Sequence, residues 1–223
     1  MKNKYLTFLF FIVILLYIAS CAAVQQPQTA SKPEATVNQP AAEPPAQPKQ
    51  GISADVKELL DKSKAKVRSI HYHYRGPETK KFGDNFYDFY VKGTKIRYMP
   101  ALEIKTLDRA DSYDTIFIDT AAKAAQSYCA AAYCAYKGKK ADINYDDAYI
   151  STIFDWVSGL TEAAKVGEEV IDDRSTWKID TNKGILWIDL FYGIPLKAES
   201  SGETYRFQQI SVNSVEDADV IPS

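Results

Sequence analysis

The residues of this 223-residue chain able to do chemistry are few: two histidines, three cysteines and some adjacent carboxylates. His71 and His73 lie two apart, so on a β-strand they share one face and both imidazoles can reach one metal ion. Two nitrogens are an incomplete site, and a carboxylate such as Asp88 would have to be brought in by strand pairing. Without it the histidines read as half-exposed polar residues on the solvent face of a sheet, and the sequence predicts no metal and no cofactor. Cys129 and Cys134 form an even pair in a chain that reads as exported, which predicts a disulfide fixing a hairpin end. Their C-x4-C spacing is not the C-x-x-C of a redox pair. A hydrolase needs a nucleophile with a base in reach, yet both histidines sit on one short strand and no G-x-S-x-G is present. Gly-rich phosphate loops, H-E-x-x-H and EF-hand patterns are also missing. Asp146-Asp147, Glu168-Glu169 and Asp172-Asp173 can be nominated as a glycosidase acid pair, but neighbouring carboxylates more often start helices or sit in solvated turns. No enzyme is expected, and no catalytic residue is nominated.

The third cysteine has a different setting. Lys2 and Lys4 precede an almost unbroken apolar run from Tyr5 to Ala19, then Ser20 and Cys21, the layout of a signal peptide. At 1.5 Å per residue, fifteen residues reach only about 22 Å, short of the roughly 30 Å hydrocarbon core. Ile18-Ala19-Ser20-Cys21 resembles a prokaryotic lipobox, in which the cysteine becomes lipid-modified and N-terminal after cleavage. Residues 1–21 are therefore expected to be a lipoprotein signal peptide with Cys21 the lipidated residue. An uncleaved anchor is the alternative, since extension through Val24 would just span a bilayer. Either way Lys2 and Lys4 stay inside and the rest faces out. The expected location is the cell envelope, membrane-anchored by lipid, outside the cytoplasm. Residues 22–50, rich in Ala, Gln and Pro, cannot bury enough surface to offset ordering entropy and read as a flexible tether.

A folded domain is expected over 51–223. Ile52, Val56, Leu59, Leu60 and Val67 recur at helical spacing behind Ser53, predicting a helix over 53–66. The period then falls to two. Ile70, Tyr72 and Tyr74 share one face of a strand that Gly76-Pro77 ends; 85–92 and 94–99 read as a hairpin around Gly93; 113–119 alternates again; and a weak strand is expected over 125–129. A second helix, starting at Asn144 or Asp146, carries Tyr149, Ile150, Ile153, Phe154 and Val157 to Gly159. Strands are then expected over 168–180, 184–190, 195–200 and 204–213. The order predicts one antiparallel α+β domain. With 27 Lys and Arg against 29 Asp and Glu and no basic stripe, nucleic acid is not an expected partner.

Three phrases carry a family likeness: the hairpin Tyr87-Asp88-Phe89-Tyr90-Val91-Lys92-Gly93-Thr94-Lys95-Ile96-Arg97, the segment Phe154-Asp155-Trp156-Val157, and Leu186-Trp187-Ile188-Asp189 through Gly193-Ile194-Pro195-Leu196-Lys197. With Tyr205-Arg206-Phe207 leading to Val212-Asn213, they resemble the LolA/LolB-like superfamily of lipoprotein carriers and receptors and its archaeal and mycobacterial lipoprotein relatives. The resemblance implies an open, strongly curved antiparallel sheet, a half-barrel with helices on its concave face. It also implies an apolar cavity for acyl chains or another hydrophobic ligand, in lipid or lipoprotein transfer. The chain departs from the carrier type in its lipid-anchor signal and in having no arginine that matches the carrier's lid-holding one. Tyr72, Tyr74, Tyr87, Phe89, Ile116, Ile118 and Trp187 are the candidate ligand-lining residues, with packing against the two helices as the other reading. A filled core would instead make the domain a non-catalytic interaction module of the envelope. The tyrosines discriminate, because a hydroxyl in a dry core needs a partner while one at a cavity rim does not.

Overall fold

The computed structural model describes residues 51–82, 85–100, 113–130 and 137–222, all within one compact unit, Gln47–Ser223. The leader, Cys21, the tether and Cys134 lie outside the described residues. Among the described residues no helix is long and apolar enough to cross a membrane.

Among the described residues, alternation of apolar and polar residues produces eleven strands: β1 Ser69–Arg75, β2 Tyr87–Lys92, β3 Lys95–Pro100, β4 Thr115–Asp119, β5 Ala124–Tyr128, β6 Lys140–Ile143, β7 Ala163–Ile171, β8 Arg174–Thr181, β9 Gly184–Asp189, β10 Pro195–Ser200 and β11 Glu203–Val212. They form a single sheet in the order β6-β5-β4-β3-β2-β1-β11-β10-β9-β8-β7, every pairing between neighbours antiparallel. Two sequential meanders, β1–β6 and β7–β11, thus meet at one long-range seam between β1 and β11. β6 and β7 are the two ends of the sheet, which does not close. Among the described residues the helices are α1 Ala54–Lys66 and the shorter α2 Tyr145–Ala148, α3 Ile153–Val157 and α4 Asp217–Val220, with a 3-10 turn over Pro77–Phe82.

One face of the sheet is the core. Ile70, Tyr72, Tyr74, Phe89, Val91, Ile96, Tyr98, Ile116, Ile118, Phe207, Leu186, Ile188 and Ile179 are buried in one cluster with Val56, Leu59 and Leu60 of α1 and Ile153 and Trp156 of α3. Burial at this level is worth roughly 1.5–3 kcal/mol for each large side chain relative to exposure. The docking of α1 is fixed at the β9–β10 turn. Asp189, buried at the end of β9, accepts from the backbone N–H groups of Phe191 (3.0 Å) and Tyr192 (2.6 Å). Gly193 follows at φ +70°, and a Cβ there would lie 2.2 Å from the Leu59 carbonyl oxygen, so only glycine lets the turn sit on the helix backbone. Lys62 and Lys66 donate from α1 to the carbonyls of Leu190 (3.1 Å) and Phe191 (2.8 Å).

Two sequence expectations are corrected, and two short elements were not anticipated. The single helix from Asn144 to Gly159 is two helices, because Tyr149 to Thr152 is extended: Thr152 caps α3 afresh, its N–H donating to Asp155 at 2.6 Å. The strand expected over 168–180 is the hairpin β7–β8, turned by Asp172 and Asp173 at φ +48° and +60°. Both positive angles make a tight primed turn, which aspartate tolerates but signals less strongly than Asn-Gly. The short strand β6 and helix α4 carry too little apolar pattern to be read from sequence.

Gly193→Ala is expected to destabilise the domain by about 3 kcal/mol or more, through the positive φ and the clash with Leu59. Urea unfolding followed by circular dichroism measures it.

Candidate functional site

Six of the seven candidate ligand-lining residues stand together. Tyr72, Tyr74, Tyr87, Phe89, Ile116 and Ile118 project from β1, β2 and β4 onto the core face, none more than 5% exposed. Their rings pack on one another: Tyr72 stacks on Phe89 at 5.3 Å, Phe89 on Tyr98 at 5.0 Å, and Tyr74 meets Phe89 edge-on at 5.4 Å. Every tyrosine hydroxyl in the group has a partner. Tyr72 Oη accepts from the Ile153 N–H at 3.2 Å, Tyr74 donates to Glu78 Oε2 at 2.5 Å, and Tyr87 donates to the Glu78 carbonyl at 3.1 Å. Tyr98 donates to the Ala148 carbonyl at 2.9 Å. Two hydroxyls therefore tie α2 and α3 down onto the sheet. Desolvation by burial pushes the pKa values of Tyr72, Tyr74 and Tyr98 far above the ordinary tyrosine range, and that of Tyr87 up to about 12.

Trp187 is on the other face. Strand β9 has apolar residues on both sides: Leu186 and Ile188 enter the core cluster, while Trp187 is buried opposite them. There its indole N–H donates to Glu169 Oε2 at 2.6 Å, and the ammonium groups of Lys197 and Lys178 lie over the ring at 4.0 and 5.1 Å. The tryptophan is closed in by charged side chains and cation–π contacts.

Open apolar surface lies instead between α1 and the stretch from α3 to Leu160. A crevice of about 360 Å³ is lined by Ile52, Leu60, Phe154, Val157, Gly159 and Leu160. Four of these, Ile52, Phe154, Val157 and Leu160, are only partly buried and pack on the edge of the core. Lys57 and Lys64 stand at the mouth, both paired with Asp61, at 2.7 and 3.2 Å. Gly159, at φ +61°, ends α3 and turns Leu160 back toward α1. The sequence carried Ile52 and Leu60, and Phe154 and Val157, as apolar stripes of two separate helices, the second ended by Gly159, and gave no sign of Leu160; nothing in the spacing showed that the two stripes face each other.

On the outer face, β1 presents His71, His73 and Arg75 to a polar cleft of about 800 Å³ shared with Gln208, Ser211 and, from the β7–β8 hairpin, Asp172 and Arg174. Burial lowers the basicity of His73 below the ordinary histidine value despite the Asp88 carboxylate nearby. Asp146-Asp147 sit in the first turn of α2 and Asp172-Asp173 in a hairpin turn, the ordinary places for paired acids. Cys129 is fully buried just after β5.

No protein-family model matches the chain, and no curated protein matches it. Among solved structures, an uncharacterized conserved protein from Thermus thermophilus is similar over 76% of this chain and 95% of its own, at 11% identity and a TM-score of 0.44. The Mycobacterium tuberculosis lipoprotein LppX is similar over 74% of this chain and 97% of its own, at 12% identity and a TM-score of 0.43. LprF from Mycobacterium bovis is similar over 78% and 98%, at 12% identity and 0.44. Likeness at this level assigns neither family nor function.

The buried tyrosines make alkali a test of the closed core face. Their folded-state pKa values lie above those of the unfolded chain, so stability is fully present below about pH 10 and falls as pH rises beyond it. A pH titration should show the buried tyrosinate absorbance appearing in one step together with loss of the circular dichroism signal. Gradual ionisation in a still-folded domain would mean the hydroxyls line open space.

Proposed function

We propose that the chain is a lipid-anchored protein of the cell envelope, of the LolA/LolB-like half-barrel kind, that binds an acyl chain or similar hydrophobic ligand without catalysis. The reading is of a lipoprotein signal segment over 1–21 cleaved just before Cys21, lipidation at Cys21, a tether over 22–50 and a binding domain over 51–223 facing outside the cytoplasm. The observation that carries it is the crevice between α1 and the Phe154–Leu160 segment. Its lining is largely apolar, with Lys57, Lys64 and the Asp61 carboxylate they share completing it beside Ser63 and Ser158, and its volume is within the range of small-molecule sites, roughly 300–1,000 Å³. An acyl chain would lie along Leu60, Phe154, Val157 and Leu160, with its carboxylate or phosphate head near Lys57 and Lys64. The lipobox supports the location, and the open antiparallel sheet is compatible with the half-barrel. A tether of 29 residues gives the domain reach from its anchor.

A second reading, a non-catalytic interaction module of the envelope, is favoured by one observation: the six residues Tyr72, Tyr74, Tyr87, Phe89, Ile116 and Ile118 are packed together with their hydroxyls satisfied. On that reading the crevice takes no lipid.

A photoactivatable fatty acid fed to cells making the full chain separates the two. The lipid-binding reading expects adducts on peptides containing Leu60 or Phe154–Leu160, lost by most of their yield in Leu160→Arg. Labelling absent, or unchanged in that variant, supports the module. Cys21→Ser should move the chain out of acyl-labelled material while leaving the domain folded, checked by metabolic labelling with palmitate. Mass spectrometry of the non-reduced chain should find it two hydrogens lighter than the reduced form if Cys129 and Cys134 pair.

A further inference from the structure

We propose that His71, His73 and Asp88 form a divalent-metal site of the two-histidine, one-carboxylate type, with zinc the ion its donors fit best. Strand parity and register assemble it. His71 and His73 alternate past the buried Tyr72 onto the outer face of β1, and antiparallel pairing with β2 sets His73 opposite Asp88 and His71 opposite Tyr90. The three donor atoms, both Nε2 nitrogens and a carboxylate oxygen, lie within 4.8 Å of one another. His71 Nε2 contacts Asp88 Oδ1, and His73 Nε2 is aimed at the same oxygen from 3.8 Å. Donors about 2.0–2.1 Å from a tetrahedral zinc are roughly 3.3 Å apart. The His73–Asp88 spacing is near that value already, and rotation of the Asp88 carboxylate widens the other.

The surroundings hold the donors in place. His71 stacks on Tyr90 at 4.3 Å and His73 on Phe86 at 3.8 Å. The Tyr90 hydroxyl donates to Asp88 Oδ2 at 3.1 Å, leaving Oδ1 as the ligand atom, the kind of outer hydrogen bond that orients carboxylates in metal sites. Arg97 in turn lies over the Tyr90 ring at 4.0 Å. The donor side chains are 18–25% exposed, so an ion can enter from the cleft of about 800 Å³ above them. Three protein ligands leave a fourth position for water or a small anion, and the cleft that both histidines line also holds Arg174. Neutral imidazoles with one carboxylate suit zinc better than the all-oxygen sites of calcium or magnesium. An ordinary His71–Asp88 ion pair accounts for one histidine but not for the second imidazole directed at the same oxygen.

The test uses the full chain in detergent, stripped with chelator and titrated with zinc chloride against a chromophoric zinc indicator. One zinc per chain is expected, with His73→Gln and Asp88→Asn each weakening binding by about 10- to 100-fold. These are the chain's only two histidines, so ¹⁵N spectra of the imidazoles report the site directly. Zinc should shift both Nε2 resonances, and cobalt should give visible bands with no thiolate charge transfer. The proposal is overturned if no zinc binds, if the histidine resonances stay unmoved, or if His71→Gln/His73→Gln, still folded by its thermal melt, binds zinc as tightly as the original. The spectra on the unsubstituted chain decide the matter if a variant fails to fold.

Discussion

Everything in this domain hangs on the pairing of β1 with β11. Among the described residues all other strand-to-strand ladders join neighbours in sequence, the isolated Ile52–Ala163 bridge aside, so each meander can form locally, but a sheet with one continuous apolar face exists only when residues 69–75 meet residues 203–212. Bringing those segments together closes a loop of more than a hundred residues, and its entropy must be recovered from the face that the seam completes. One side chain reinforces the junction. Asn213 accepts from the Arg68 N–H at 2.7 Å, donates to the Lys66 carbonyl at 2.9 Å, and its backbone N–H donates to the Ser69 carbonyl at 2.7 Å. The end of α1, the start of β1 and the end of β11 are thereby tied at one point.

The seam also carries an irregularity. Between the pairs His71↔Ser211 and His73↔Gln208, β11 has one residue too many, and Gln209 takes φ +50°. Such a bulge increases local twist and re-aims the side chains around it. Here it falls beside the two histidines, under the outer cleft. The core face below is undisturbed, with Tyr72 packed between Phe89 and Phe207. The two sides of one strand thus have different duties: the inner side holds the domain together through aromatic contacts, and the outer side presents imidazoles to solvent.

Aromatic residues settle where the free apolar surface lies. Tyrosine hydroxyls cannot be buried unpaired without a penalty, and those of Tyr72 and Tyr98 are satisfied by backbone groups at Ile153 and Ala148. That demand draws α2 and α3 onto the sheet and fills the space over β1–β3. Apolar surface left over appears at the margin, where the Phe154–Leu160 segment faces α1 without meeting it fully. The site resembling a ligand crevice is therefore a by-product of how the helices are held, and it is lined by residues of α1, α3 and the segments flanking them while the sheet residues are spent on the core.

Much of this was legible in the sequence. Period-two alternation located β1 to β4, the glycine turns placed the later hairpins, and the spacing of Val56, Leu59 and Leu60 located α1, because these signals depend only on neighbouring residues and on which face is buried. Parity alone put His71 and His73 on one side of β1 and Tyr72 and Tyr74 on the other. What the sequence could not supply was distance across the chain. The broken helix at Tyr149–Thr152, the position of Trp187 on the outer face, the approach of Leu160 to α1, and the arrival of Asp88 opposite His73 all depend on strand register and on which elements dock together. Register is a collective property of paired strands, decided when the whole apolar face is buried at once, so it belongs to the tertiary structure while the alternation that makes it possible belongs to the sequence.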